Sequence, residues 1–172
     1  MSEIIKKAEK YARKVHKETN HKYDGGDYIV HLEMVVDVAN GFKHLLPEEE
    51  RDMVIASCWT HDVIEDCRET YNDVVNSTNK DVAEITYALT NEKGKNRKER
   101  ANDKYYQGIR DTEFADFVKI CDRIANILYS KIKKSRMFLK YKDEYPEFRE
   151  KLYNPKYGDM FIHISNILED FE

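Results

Sequence analysis

Apolar residues recur at gaps of three and four along most of this chain, the mark of helices that bury one stripe. Over residues 3–19 the stripe is Ile4, Ile5, Ala8, Tyr11, Ala12 and Val15. A second helix is expected from about Ile29 to Phe42, with Val35, Val38 and Ala39 inward and Gly41 near its end as a stop signal. Pro47 followed by Glu48, Glu49 and Glu50 marks another start, because proline suits the first turn and acids there complement the helix dipole. That helix is expected to run through Val54, Ile55, Ala56 and Trp59 into His61–Glu65. A short helix follows Thr70, another runs from an Asn79 N-cap to Leu89, and a long one spans Asp111 to about Ile132. From Arg136 two further amphipathic helices follow, broken near Pro155.

The stretch His21–Asp27 contains Gly25 and Gly26 and reads as a loop, and no strand-like alternation stands out elsewhere. The expected architecture is all-α, a compact bundle of about eight to ten helices at ordinary helix lengths. The 172 residues suffice for one core and are expected to form a single domain over 1–172.

Composition narrows the function. The net charge of −4 argues against general nucleic-acid binding, although a local basic stretch can still meet an anion. Such a stretch exists in residues 91–104, NEKGKNRKERANDK, which is either a solvated loop leading into a charged helix or a basic flap over an anionic substrate. Lys93, Lys95, Arg97, Lys98 and Arg100 are its cations. Cys58, Cys67 and Cys121 form no CxxC pair, so they read as reduced thiols of a cytoplasmic protein. The N-terminus lacks the apolar region of a signal peptide, and no run approaches the ~18 residues of a membrane span.

The chemistry concentrates in a few residues. His61-Asp62, in CWTHDVIED, pairs an imidazole nitrogen with a hard carboxylate oxygen, a donor set suited to Mn²⁺, Fe²⁺ or Zn²⁺. By itself such a pair is common. His31, in YIVH, and Asp122, in KICDRIAN, extend it. An acid flanked by Ile120, Cys121 and Ile124 is costly to bury unless it is paired, either with a metal or in a salt bridge to Arg123 or Lys119. Four ligands of this kind would lower the pKa of a bound water and supply hydroxide for attack at phosphorus. Glu65 and Asp66 lie four residues after His61 and Asp62, so on a continuous helix they project one turn further along the same face. Two neighbouring carboxylates can hold their pKa values apart and divide acid and base roles, or simply orient the ligands. Asn126, four residues after Asp122, offers an amide to a phosphate or ribose oxygen, or to helix packing. His16 reads as a core or surface histidine.

The spacing His31…His61-Asp62…Asp122 resembles the HD superfamily of metal phosphohydrolases, and several details resemble its SpoT-type small alarmone hydrolases. His61-Asp62-Val63-Ile64-Glu65-Asp66 matches the HDxxED motif, Asp122-Arg123-Ile124-Ala125-Asn126 the DxxxN element, and Ala12–His31 the first motif. The likeness covers roughly residues 5–130. It implies one Mn²⁺ held by His31, His61, Asp62 and Asp122, with Fe²⁺ or Zn²⁺ as alternatives. It implies that Glu65 and Asp66 handle the attacking water and the proton. The implied reaction removes pyrophosphate from the ribose 3′ position of (p)ppGpp, giving GDP or GTP, within the stringent response.

Two positions depart from the pattern. The family has arginine then lysine before the loop, the arginine packing on the base, where this chain has His21-Lys22; Asp27 stands where a proline is usual. Histidine stacks on a base but lacks the guanidinium's fixed charge and fork, so the base preference stays open. His21, Lys22, Asn126, Tyr141 and Tyr145 are the expected substrate contacts. Competing expectations are the same chemistry on an adenosine alarmone, the phosphate of NADPH or a 3′-pyrophosphorylated RNA end; an HD 5′-deoxynucleotidase; and a non-catalytic, antitoxin-like binding protein.

Overall fold

The computed structural model describes residues 1–91 and 94–169. Lys93 lies outside them, as does the Lys98 side chain. The architecture is all-α, as the hydrophobic periodicity requires. Among the described residues nine helices have seven residues or more, and the sole sheet is one antiparallel hairpin of two-residue strands.

Helix α1 (Glu3–Glu18) buries Ile5, Ala8, Ala12 and Val15, the stripe its spacing predicts. It packs on α3 (Arg51–Thr60), which is itself buried from Val54 to Thr60. Helix α2 (Ile29–Phe42) has the expected bounds and lies between α3 and α9 (Ala115–Ile132). Gly41 lies one residue before its end, as expected, and the chain leaves through a 3₁₀ turn at Lys43–Leu45.

Capping residues set the smaller elements. Thr70 and Asp73 form a reciprocal capping box on α5 (Tyr71–Ser77). The Asn79 side chain accepts from Val82 N and starts α6 (Lys80–Ala88). Within the basic segment, Asn96 caps a single turn, α7 (Arg97–Arg100), and Asn102 caps α8 (Asp103–Asp111). The C-terminal part is α10 (Met137–Leu152), a 3₁₀ turn at Pro155–Tyr157, and α11 (Gly158–Glu169), so the break near Pro155 is where it was expected.

Two departures matter for the site. His21–Asp27 is not an unstructured loop: β1 (Lys22–Tyr23) pairs with β2 (Gly26–Asp27) around Asp24 and Gly25, both at positive φ. And the third helix does not continue to Glu65. It stops at Thr60, and a separate turn, α4 (Val63–Asp66), follows. The apolar pattern runs unbroken across this point, because Trp59 and Val63 are both buried. The break comes from polar groups: the His61 ring faces the Cys58 carbonyl at 2.9 Å, taking an acceptor that a helix end leaves open.

The core divides into two apolar clusters. One gathers α8 to α11 with parts of α2, α3 and α6; the other gathers α1, α4 and α5 with the remaining faces of α2, α3 and α6. Among the described residues no helix is long and apolar enough to cross a membrane.

Candidate active site

The four residues expected as ligands meet at the seam between the two clusters. Adjacent residues on a regular helix diverge by about 100°. The break after Thr60, with Asp62 at φ −109° and ψ 0°, removes that divergence and turns both side chains to one point. His61 Nε2 is 2.9 Å from Asp62 Oδ2 and 3.9 Å from Asp122 Oδ1. His31, brought by α2, places Nε2 3.3 Å from Asp122 Oδ1 and 3.9 Å from Asp62 Oδ2. Ring nitrogens of His31 and His61 and an Asp122 oxygen lie within 4.8 Å of one another.

A divalent cation fits this constellation on its own chemistry. His61 Nδ1 faces a carbonyl, which only accepts, so Nδ1 carries the proton and Nε2 of the neutral ring is a lone pair. That Nε2 is buried without a hydrogen-bond partner. Two nitrogens and two carboxylates are a borderline-hard donor set that accommodates Mn²⁺, Fe²⁺ or Zn²⁺. With no cation between them the charges fall on the protein. Burial opposes protonation of His61, but Asp62 and Asp122 outweigh it and push the ring up to about 10. Burial likewise opposes ionisation of Asp62 and Asp122, yet His61 holds the first below the usual carboxylate range, and Lys119 and His31 hold the second well below it.

Asp122 is also the salt-bridge acid that the sequence offered as its alternative. Lys119 Nζ donates to Oδ2 at 2.8 Å, while Oδ1 faces His31. Lys119, rather than Arg123, is the partner: Arg123 turns away to Glu144 at 2.8 Å. Asn126 donates its amide to Asp122 Oδ1 at 2.6 Å, accepts from the Tyr23 hydroxyl at 2.8 Å, and lines the cleft beside them. Tyr28 donates to Asp62 Oδ2. Tyr23 was not singled out in the sequence, and Tyr28 entered only as the tyrosine of the first motif; the signal for both was an aromatic pair flanking two glycines, shortly before His31.

The two acids line the cleft from α4, on a separate turn rather than one continuous helix with His61. Asp66 keeps the expected one-turn relation to Asp62 through its backbone N–H, which donates to the Asp62 carbonyl at 2.9 Å. Burial, then the charges of Asp62 and Glu65, push its carboxyl up to about 7. Glu65 is pinned by Asn91, whose backbone N–H and side-chain amide donate at 3.1 and 2.8 Å.

The cleft has a cavity of about 290 Å³. Arg97, Arg100, Lys119 and Arg123 line it with Tyr141. Arg97 and Arg123 stack on the Tyr141 ring at 5.3 and 5.0 Å and both reach Glu144. The basic segment thus presents Arg97 and Arg100 to the site.

The expected substrate contacts divide. Tyr141 and His21 line the cleft. Lys22 stands exposed on β1 outside the cleft wall, and Tyr145 donates to the Phe161 carbonyl at 2.8 Å, away from it. His21 is itself stacked on Tyr28 at 3.9 Å, so its ring face is already taken.

No family model matches the sequence, and no curated protein matches it. Among solved structures, one described as a metazoan ortholog of SpoT that hydrolyzes ppGpp and plays a role in starvation responses is similar. It has a TM-score of 0.76, 15% identity, and coverage of 98% of this chain and 96% of that chain. The chain therefore shares the fold of that SpoT ortholog.

Proposed function

We propose that the protein, acting as one domain over residues 1–172, is a divalent-metal-dependent phosphohydrolase that removes the 3′-pyrophosphate of (p)ppGpp or a close relative. The observation that carries the reading is the convergence of two buried imidazoles, His31 and His61, with the carboxylates of Asp62 and Asp122, in this fold and beside two further acids. A bound divalent cation supplies Lewis acidity toward phosphate oxygens and lowers the pKa of water.

The chain's own residues do the rest. Asp122, fixed by Lys119 and Asn126, and Asp62, fixed by Tyr28, hold their oxygens toward the two imidazoles. Asp66 exchanges a proton near neutral pH, the requirement for general acid–base work on a phosphoryl centre. Arg97, Arg100 and Arg123 give the cleft a positive wall for a pyrophosphate, and Tyr141 gives it an aromatic face. The three free cysteines suit a reducing compartment such as the cytoplasm.

The occupied face of His21 favours a second reading in which the chemistry is kept and the base differs, since the residue expected to meet the base packs on Tyr28. The test is incubation with Mn²⁺ and ppGpp, with products resolved by ion exchange, beside Asp62→Ala. GDP and pyrophosphate from the parent and none from the variant establish the reading. Intact ppGpp with metal demonstrably bound refutes that substrate, and pppApp, NADPH and dAMP are then offered to the same sample.

A further inference from the structure

A second group of ligating side chains lies beside the first and shares none of its members: His16, His21 and Cys67. Helix α1 ends in a Schellman motif. The N–H of Asn20 donates to the Lys17 carbonyl, the N–H of His21 to the His16 carbonyl, and Asn20 takes a φ of 51°. This motif brings the side chain three residues before the cap against the one two residues after it, ordinarily as an apolar contact. Here the contact is between two imidazoles, with Nδ1 to Nδ1 at 3.1 Å. Both rings also pack on Tyr28, at 4.5 and 3.9 Å, which holds them side by side.

The third member comes from the other side. Cys67 caps α4, which packs on α1, and is buried. One ring nitrogen of each histidine and the Cys67 sulfur lie within 4.8 Å of one another. Tetrahedral zinc with ordinary Zn–N bonds has an N–N edge of about 3.3 Å, close to the spacing seen. His16 is 1% exposed and its Nε2 has no hydrogen-bond partner. His21 Nε2 faces the Asp66 carboxylate at 3.9 Å, close enough for charge attraction though beyond hydrogen-bond distance.

We propose that His16, His21 and Cys67 form a second metal site, selective for a thiolate-seeking divalent ion such as Zn²⁺, with its fourth position open. Two nitrogens and one sulfur separate it from the all-nitrogen-and-oxygen site at His61, which has no such preference. Its occupation ties the turn after α1 to the α4 acids. The inference does not rest on the hydrolase reading.

The test uses the full chain, stripped of metal and titrated with Zn²⁺ or Co²⁺ alone. The expected result is two bound ions per chain and a thiolate-to-cobalt charge-transfer band in the near ultraviolet. Cys67→Ala and, separately, the milder His21→Gln should each remove the band and one ion, with circular dichroism confirming a folded protein. Asp62→Ala should remove the other ion and leave the band. A parent that binds one ion without the band overturns the proposal. So does a band that survives Cys67→Ala, which would place the thiolate at Cys58 or Cys121.

Discussion

Lys119→Met deletes the ammonium that lies 2.8 Å from Asp122 Oδ2 while keeping most of the apolar stem. At an effective dielectric of ~20 this pair attracts by about 6 kcal/mol before desolvation is counted. Removing one member of a buried pair costs about 3–5 kcal/mol, because the survivor stays behind uncompensated. Asp122 keeps His31 and Asn126, so the lower end, about 3 kcal/mol, is expected for metal-free protein in urea unfolding. A divalent cation changes the sign of the local problem. Lys119 repels it, so the variant should bind Mn²⁺ more tightly, and saturating Mn²⁺ should shrink the stability deficit. Unfolding curves with and without Mn²⁺, paired with calorimetric titration, measure both quantities. A metal-free deficit under about 1 kcal/mol, the range of exposed pairs, would show that Lys119 is a solvated cleft cation. An equal deficit in the two conditions would show that the cation does not sit beside Asp122.

Three further outcomes follow. Asp66 has a folded pKa raised from the 3.8 of an ordinary aspartate to about 7; its protonated form favours the fold. Its contribution is therefore complete at low pH and lost as pH rises from about 4 through about 7. Denaturant curves of metal-free Asp66→Asn should rise relative to the parent across that window, and parallel curves would contradict it. Asn126→Ala leaves Asp122 and the Tyr23 hydroxyl short of a partner, with an expected cost of about 1–3 kcal/mol. It should also weaken Mn²⁺ binding by roughly 10–100-fold in calorimetry. Tyr145→Phe should cost about 1 kcal/mol in thermal unfolding and leave kcat/KM unchanged, whereas Tyr141→Ala should raise KM.

The helices were legible because burial follows spacing, and α2 and the caps at Thr70 and Asn79 stand where the residues put them. The break at His61 was not, since hydrophobic periodicity continues through it and only a ring-to-carbonyl contact interrupts the helix. The same limit hid what each polar residue faces. Asp122 between isoleucines announced a buried, partnered acid, but one residue type served equally for a metal and for Lys119, and the structure sets His31 on one oxygen and Lys119 on the other. Lys22 came in through the resemblance and Tyr145 as a candidate aromatic wall for the base; the strand turns one outward, and the Phe161 carbonyl holds the other. Tyr23 and Tyr28 act across 103 and 34 residues, separations that no local pattern encodes.

The seam between the two apolar clusters has a mechanical consequence. His31 lies on α2, whose Leu32 belongs to one cluster and Val35 to the other; His61 follows Cys58 of one and Trp59 of the other, and Asp122 follows Cys121 of the C-terminal cluster. A cation gripped by all of them works as a rivet: neither layer can swing open without first surrendering the ion. Every partial opening then carries the same binding free energy as complete unfolding. Filling the site would tie the two layers into one cooperative unit.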